Sequence, residues 1–276
     1  MTLNCNGKLL DFTSPQVMGI LNLTPDSFYY ESRKQSDEEI ELRALTIHSE
    51  GASIIDVGAY SSRPGAIDVS SEEEMRRLRK GLEIVRRVLP ESIVSVDTFR
   101  ADVAKMCVEE YGVDIINDIS AGELDGKMFE TVSRLNVPYI IMHMKGDPRT
   151  MQQFLSYEDV VNEEILYFSK KINLLHELGV KDVIVDPGFG FSKTLDQNYL
   201  LMSRLEEFRE LGTPILVGLS RKSMIFKLLN VTPGKALNGT TVLNTIALSK
   251  GANIIRVHDV WAGTETVKIY CKLKLD

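Results

Sequence analysis

Cysteine is scarce: Cys5, Cys107 and Cys271 are the only three in 276 residues. Their scatter excludes a disulfide framework and a cysteine-based zinc site, so they read as reduced thiols. The four histidines are not at metal-ligand spacing either. No apolar run approaches the roughly eighteen residues that a membrane helix needs. Positive charge is in deficit, with 32 Lys and Arg against 39 Asp and Glu, which argues against a nucleic-acid partner. The opening MTLNCNGKLLDF lacks the apolar core of a secretory signal, so a cytoplasmic location is expected. Low-complexity tracts, a Walker loop, H-E-x-x-H and G-x-S-x-G are all missing. DPGFGF (186–191) is glycine-rich, but the third Gly of a dinucleotide fingerprint would fall on Lys193.

What is present is a chain 43% hydrophobic, enough for one large core, and a single domain over residues 1–276 is expected. Asn6-Gly7 between short apolar runs suggests an N-terminal β-hairpin. Eight short stretches rich in Ile and Val follow: 17–21, 53–57, 92–96, 114–117, 138–142, 182–186, 214–219 and 253–257. Their near-continuous hydrophobicity suits strands covered on both faces. Helical patterns lie between most of them. Ser36 to Glu39 and Ser71 to Glu74 read as capping boxes. Segments 78–89 and 157–179 carry apolar residues at helical spacing, the second stopping at Gly179. Strand and helix alternating eight times predict a (β/α)₈ TIM barrel, with a doubly wound sheet as the alternative.

Barrel enzymes build their sites at the C-terminal ends of the strands. Here those ends carry Asn22, Asp56, Asp97, Asn117-Asp118, His143, Asp186, Ser220-Arg221-Lys222, and then Arg256 with His258. A lone Asp at a strand end is commonly a turn former, but eight polar ends on one rim point to a site. Arg256 and His258 lie two apart, so in a strand they face the same way and could hold a doubly charged anion between them. The long polar loops 24–35 and 60–71 are either plain surface loops or lids over the mouth. Phe191 could stack on a flat ligand beside Asp186 or belong to the core. For SRKSM (220–224) three readings stand: Ser223 as an N-cap beside a solvated Lys222, a carboxylate site at a helix start, or a Schiff-base lysine.

GILNLTPDSF (19–28), SSRPGA (61–66), SVDT (95–98), IINDIS (115–120), MHMKGDPRTMQ (142–152), DPGFGF (186–191), VGLSRKSM (217–224) and IIRVHDV (254–260) together resemble the dihydropteroate synthase family. The match runs in the family's order over almost the whole chain. The resemblance implies a TIM barrel that joins 6-hydroxymethyl-7,8-dihydropterin diphosphate to 4-aminobenzoate. The products are 7,8-dihydropteroate and diphosphate, in folate synthesis. It also implies a cytosolic homodimer that uses Mg²⁺ and is a sulfonamide target.

Carried over by motif, Asp97, Asn117, Met142, Asp186 and Lys222 would bind the pterin. Asn22, Ser62, Arg63, Arg256 and His258 would bind the diphosphate, with Asn22 also holding Mg²⁺. Phe28, Pro64, Phe191 and Ser223 would bind 4-aminobenzoate. Asp97, Lys222, Arg256 and His258 would carry the chemistry. The resemblance further implies early departure of diphosphate, leaving a pterin cation that the arylamine attacks. Two loops depart from the family pattern. Tyr29-Tyr30-Glu31-Ser32 stands where many members have a small Gly-rich run, and Tyr60 stands where many have an acid. Both changes bear on loop closure and sulfonamide response. Two competing readings are a methyltransferase on the same barrel, acting on methyltetrahydrofolate and a corrinoid protein, and a pterin-sequestering protein with a decayed site.

Overall fold

The computed structural model describes residues 1–24, 36–61 and 69–273. The chain starts with a hairpin of β1 (Thr2–Cys5) and β2 (Lys8–Asp11). Its turn places Asn6 and Gly7 at φ 52° and 88°, the positive values that a two-residue hairpin turn demands.

The eight apolar stretches all become strands: β3 (Gln16–Asn22), β4 (Ile54–Gly58), β5 (Ile93–Asp97), β6 (Ile115–Asp118), β7 (Tyr139–Met142), β8 (Val183–Asp186), β9 (Leu216–Val217) and β10 (Ile254–Val257). They form one sheet in the order β8-β7-β6-β5-β4-β3-β10-β9, parallel throughout. The two ends of that order meet through a bridge from Val185 to Ile215, with Val185 N donating to Pro214 O at 3.0 Å. The sheet therefore curls into a barrel, which rules out the doubly wound alternative.

Helices follow the strands: α1 (Asp37–Ser49), α2 (Ser71–Val88), α3 (Ala101–Tyr111), α4 (Met128–Leu135), α5 (Val160–Glu177), α6 (Leu195–Ser203), α7 (Ser223–Leu228), α8 (Leu237–Ser249) and α9 (Val260–Leu273). The capping box at Ser36 forms with both of its bonds. The second start differs from expectation by one residue. Ser70, held extended, caps α2 by accepting from Glu73 N, so Ser71 is the first helical residue and not the cap. Among the described residues, no helix is long and apolar enough to cross a membrane.

Strand parity sorts the side chains into two cores. One parity (Val17, Leu21, Ile55, Val57, Val94, Val96, Ile116, Ile141, Val185, Ile255) packs outward against the helices. The other (Met18, Ile54, Ile115, Ile140, Ile184, Leu216, Ile254) fills the lower barrel. Leu3, Cys5 and Leu10 of the hairpin join this inner cluster and plug the bottom. Asn4 N pins the plug by donating to Asp182 Oδ2 at 2.9 Å. Burial pushes the Cys5 thiol up to about 12, as an unreactive core sulfur requires. With the lower barrel closed by hydrocarbon, polar inward positions are left to the upper end.

Candidate active site

The same parity that turns Ile54, Ile93 and Ile115 into the barrel carries Asp56 and Asn117 inward two residues further along and Asp97 inward four residues beyond Ile93. Register makes them neighbours. Asn22 sits opposite Gly58, Gly58 opposite Asp97, and Asp97 opposite Asn117. Gly58 lies within this row, where a Cβ would sit 3.5 Å from Asp97 Cβ and 3.6 Å from Asn22 Oδ1, at ordinary contact distance. On the far side Met142 stands opposite Asp186.

Arg256 projects inward from β10 and joins the row. Its Nε donates to Asp56 Oδ2 at 2.6 Å and its Nη2 to Asp97 Oδ2 at 2.9 Å. Asp56, fully buried, also accepts from Asn117 Nδ2 at 3.2 Å. Sequence reasoning treats Asp56 only as a strand end, yet it ties the arginine of one end of the site to the amide of the other. A usable signal was its parity, two residues before the inward Gly58 in an otherwise apolar strand.

His258, the next inward position, is anchored to the end of β9. Its Nδ1 lies 3.0 Å from Ser220 Oγ, and its backbone N–H donates to the same oxygen at 3.2 Å. Asp259 turns the other way and takes a bidentate pair from Arg221 at 2.8 and 2.9 Å. Arg221 therefore braces the end of β10 and lies outside the site, as do two other polar strand ends. Asp118 accepts from Tyr139 Oη at 2.6 Å and from Ser120 and Gly122 behind the sheet. His143 faces the helical layer.

Asp186 Oδ1 accepts from Gly188 N at 2.8 Å, which shapes the loop after β8. Lys222 reaches back across the mouth and donates to Phe189 O, with Nζ 4.7 Å from the centre of the Phe191 ring. Gly190 makes room for it, since a Cβ there would lie 3.3 Å from Lys222 Cδ. Lys222 occupies the cap position of α7 and Ser223 is its first helical residue. Ser223 is thus not an N-cap, and Lys222 is not a solvated surface charge. Phe191 packs at the edge of an apolar patch of Ile119, Met142, Met144 and Met151, beside the mouth rather than in the deep core.

The charges perturb one another. Burial raises the Asp97 carboxyl to about 7; Arg256 opposes the shift and Asp56 adds to it. Burial raises Asp186 as well, against the pull of Lys222. Burial lowers Lys222 to about 8 in spite of Asp186. Arg256, although half-buried, is held above its usual value by Asp56 and Asp97. One end of the opening therefore has paired acceptors and a donor suited to a flat heterocycle with N–H and carbonyl edges. The other end has a guanidinium and an imidazole suited to an anion.

The structure thus brings together Asn22, Asp97, Asn117, Met142, Asp186, Phe191, Lys222, Ser223, Arg256 and His258 around one mouth. Phe28, Ser62, Arg63 and Pro64, together with Tyr29 to Ser32, lie outside the described residues. Tyr60 is described. Its ring meets Phe99 edge-on at 5.0 Å, and Arg100 lies over it at 5.4 Å.

Comparison with known proteins gives the family. The family model described as pterin binding enzyme matches residues 18–258. The dihydropteroate synthase of Escherichia coli K12 is 42% identical over 271 residues, covering 98% of this chain and 95% of its own length. The crystal structure of Yersinia pestis dihydropteroate synthase with a sulfonamide drug complex superposes with a TM-score of 0.94 at 37% identity, covering all of both chains. That of the Thermus thermophilus enzyme with 4-aminobenzoate gives 0.88 at 37% identity, over 99% of this chain and all of the other. The chain belongs to the pterin-binding enzymes and, within them, to the dihydropteroate synthase family.

Proposed function

We propose that this chain condenses 6-hydroxymethyl-7,8-dihydropterin diphosphate with 4-aminobenzoate, releasing 7,8-dihydropteroate and diphosphate in folate biosynthesis. The observation that carries the reading is the contact between Arg256 and Asp97 at 2.9 Å. It joins the anion-binding end of the mouth to the heterocycle-binding end, as a substrate that is a pterin at one end and a diphosphate at the other requires.

Asp97 and Asp186 accept from the pterin's aminopyrimidinone edge and the Asn117 amide donates to it, Lys222 donates to its carbonyl side, and Met142 packs on its face. Arg256 and His258 bind the diphosphate. Ser62 and Arg63 from the second loop would join them. Phe191 and Ser223 line the approach of 4-aminobenzoate, with Phe28 and Pro64 supplied by the two loops.

In the reaction the bond from the pterin's exocyclic methylene to the diphosphate oxygen breaks. The arylamine nitrogen bonds to that carbon and then loses a proton. Donors aimed at the departing diphosphate lower the barrier, because charge builds there in the transition state. An ionised Asp97 beside the ring stabilises the cation left behind. The arylamine is a free base at neutral pH, so the step needs no strong general base.

Magnesium fits the donor set. Among the described residues no cluster of three acidic, His or Cys side chains exists, but Mg²⁺ in phosphate chemistry needs only one or two protein oxygens beside those of the substrate. Asn22 Oδ1, beside Gly58 at the end of its strand, is such an oxygen. Bound there, Mg²⁺ would neutralise charge on the leaving diphosphate.

We read the protein as a cytoplasmic homodimer. Exposed Val242 and Ile246 on α8 and Trp261 and Ile269 on α9 offer an apolar face for a second copy. Light scattering on the purified chain checks the dimer.

The deciding experiment incubates the purified chain with both substrates and Mg²⁺. Dihydropteroate and diphosphate are expected in equal amounts. Pterin binding without product would overturn the proposal.

A further inference from the structure

Behind the site, between the sheet and α5, lies an ion pair cut off from water. Lys193 and Glu164 side chains are both 0% exposed, with Nζ 3.0 Å from Oε1. His143 Nδ1 lies 3.2 Å from the same oxygen and 3.4 Å from Lys193 Nζ. A fully buried ion pair is a weak source of stability, because desolvating both charges offsets their attraction. Glu164 Oε2 also finds no hydrogen-bond donor among the described residues, a further cost. Stability does not explain this pair.

The ammonium's other contacts do. Lys193 Nζ donates to Gly188 O at 3.1 Å and to Phe191 O at 3.1 Å. Those carbonyls flank Phe189, whose own carbonyl accepts from Lys222 on the opposite side of the loop. Two lysines therefore hold the 187–191 loop, Lys193 from behind and Lys222 from within the mouth. Gly188 passes so close to β7 that a Cβ would sit 2.3 Å from His143 O, so the loop depends on main-chain contacts to stay seated.

Resting on the proposed function, we infer that Lys193, oriented by Glu164, is a positioning residue for both substrates: it fixes the carbonyl that locates Lys222 and the ring of Phe191 at the mouth. It touches neither substrate. Its effect is to keep an adaptable glycine-rich loop in the conformation the ligands meet.

The test is a double variant, Lys193→Met with Glu164→Leu, which replaces the ion pair with apolar groups of similar size. Such replacements are often neutral or stabilising, whereas Lys193→Met alone strands a buried carboxylate. The double variant should melt near the parent, because the relief of the desolvated pair is set against two carbonyls that lose a donor. Its KM values for the pterin diphosphate and for 4-aminobenzoate should rise about tenfold, with kcat within about threefold, because misplaced binding groups and not the reacting atoms are affected. Amide hydrogen exchange over 187–193, read without substrate, should speed up. Unchanged KM values and unchanged exchange overturn the inference, as does a loss of kcat alone. A parent chain that makes no product sinks the proposed activity, and the exchange comparison then still decides whether Lys193 holds the loop.

Discussion

Arg256 grips Asp56 through Nε at 2.6 Å and Asp97 through Nη2 at 2.9 Å, so one guanidinium is shared by two carboxylates inside the barrel. Arg256→Met would leave those carboxylates adjacent and unpaired. Removing one partner of a buried pair costs about 3 kcal/mol or more. The loss should be largest at pH 8, where Asp97 is ionised, and smaller at pH 5.5, where it takes a proton. Urea unfolding at the two pH values checks this; an equal loss at both would show that the carboxylates do not depend on Arg256.

Asp97→Asn keeps the shape of the site and an acceptor for Arg256 but removes the negative charge beside the ring. Turnover should fall far more than pterin affinity does, since the charge is needed where the cation forms. Calorimetric pterin binding beside steady-state kinetics measures the two. Equal losses would make Asp97 a binding residue only.

The same carboxyl makes stability depend on pH. Its folded value of about 7 exceeds its ordinary value of 3.8. Between those limits the folded chain holds the proton more tightly, so this group's contribution falls as pH rises from about 4 to about 7. Asp97→Asn abolishes that fall. The variant's melting temperature relative to the parent should therefore be higher at pH 8 than at pH 5; a flat difference would contradict the raised value.

Lys222 has the opposite sense. Its folded value of about 8 lies below the ordinary 10.5. The cost of holding it charged is present in full below about pH 8 and is relieved as pH rises toward 10.5. Lys222→Met should therefore be more stable than the parent at pH 7 while binding pterin poorly. Its advantage should shrink at pH 9.5 and above. Melting curves across that range, with pterin titrations at pH 7, follow both effects. A variant less stable at pH 7 would mean that the lysine's contacts outweigh its desolvation.

The barrel was legible because its strands are apolar on both faces, and all eight fall within the stretches read from Ile and Val or run one residue beyond them. The exception in length is β9. The run 214–219 reads as six residues, but the strand proper is only Leu216–Val217, with Ile215 adding the single bridge to Val185 that closes the barrel. The inward site residues were legible as polar strand ends. What a list of ends does not sort is parity: Asn117 faces in and Asp118 out, Met142 in and His143 out. Asp56 was undervalued for the same reason. The pairing of Lys193 with Glu164 joins a loop to a helix that local spacing does not connect, so only the folded chain reveals it. The start of α2 at Ser71 and not beyond it shows a smaller limit, since two adjacent serines offer equivalent caps.

The hairpin plug separates stability from activity. Leu10 is 3% exposed beneath the lower barrel, in one apolar cluster with Met18, Ile54 and Ile254. Leu10→Ala removes buried hydrocarbon and leaves a cavity, at a cost of about 2–4 kcal/mol. The site lies at the other end of the strands, with the lower barrel's layer of Ile and Met between them. Kinetic constants at 25 °C should therefore match the parent while the urea midpoint drops. A variant with normal stability would mean that the hairpin does not seal the barrel. A variant with altered KM would mean that the plug's packing is transmitted along the strands to Asp97 and Arg256.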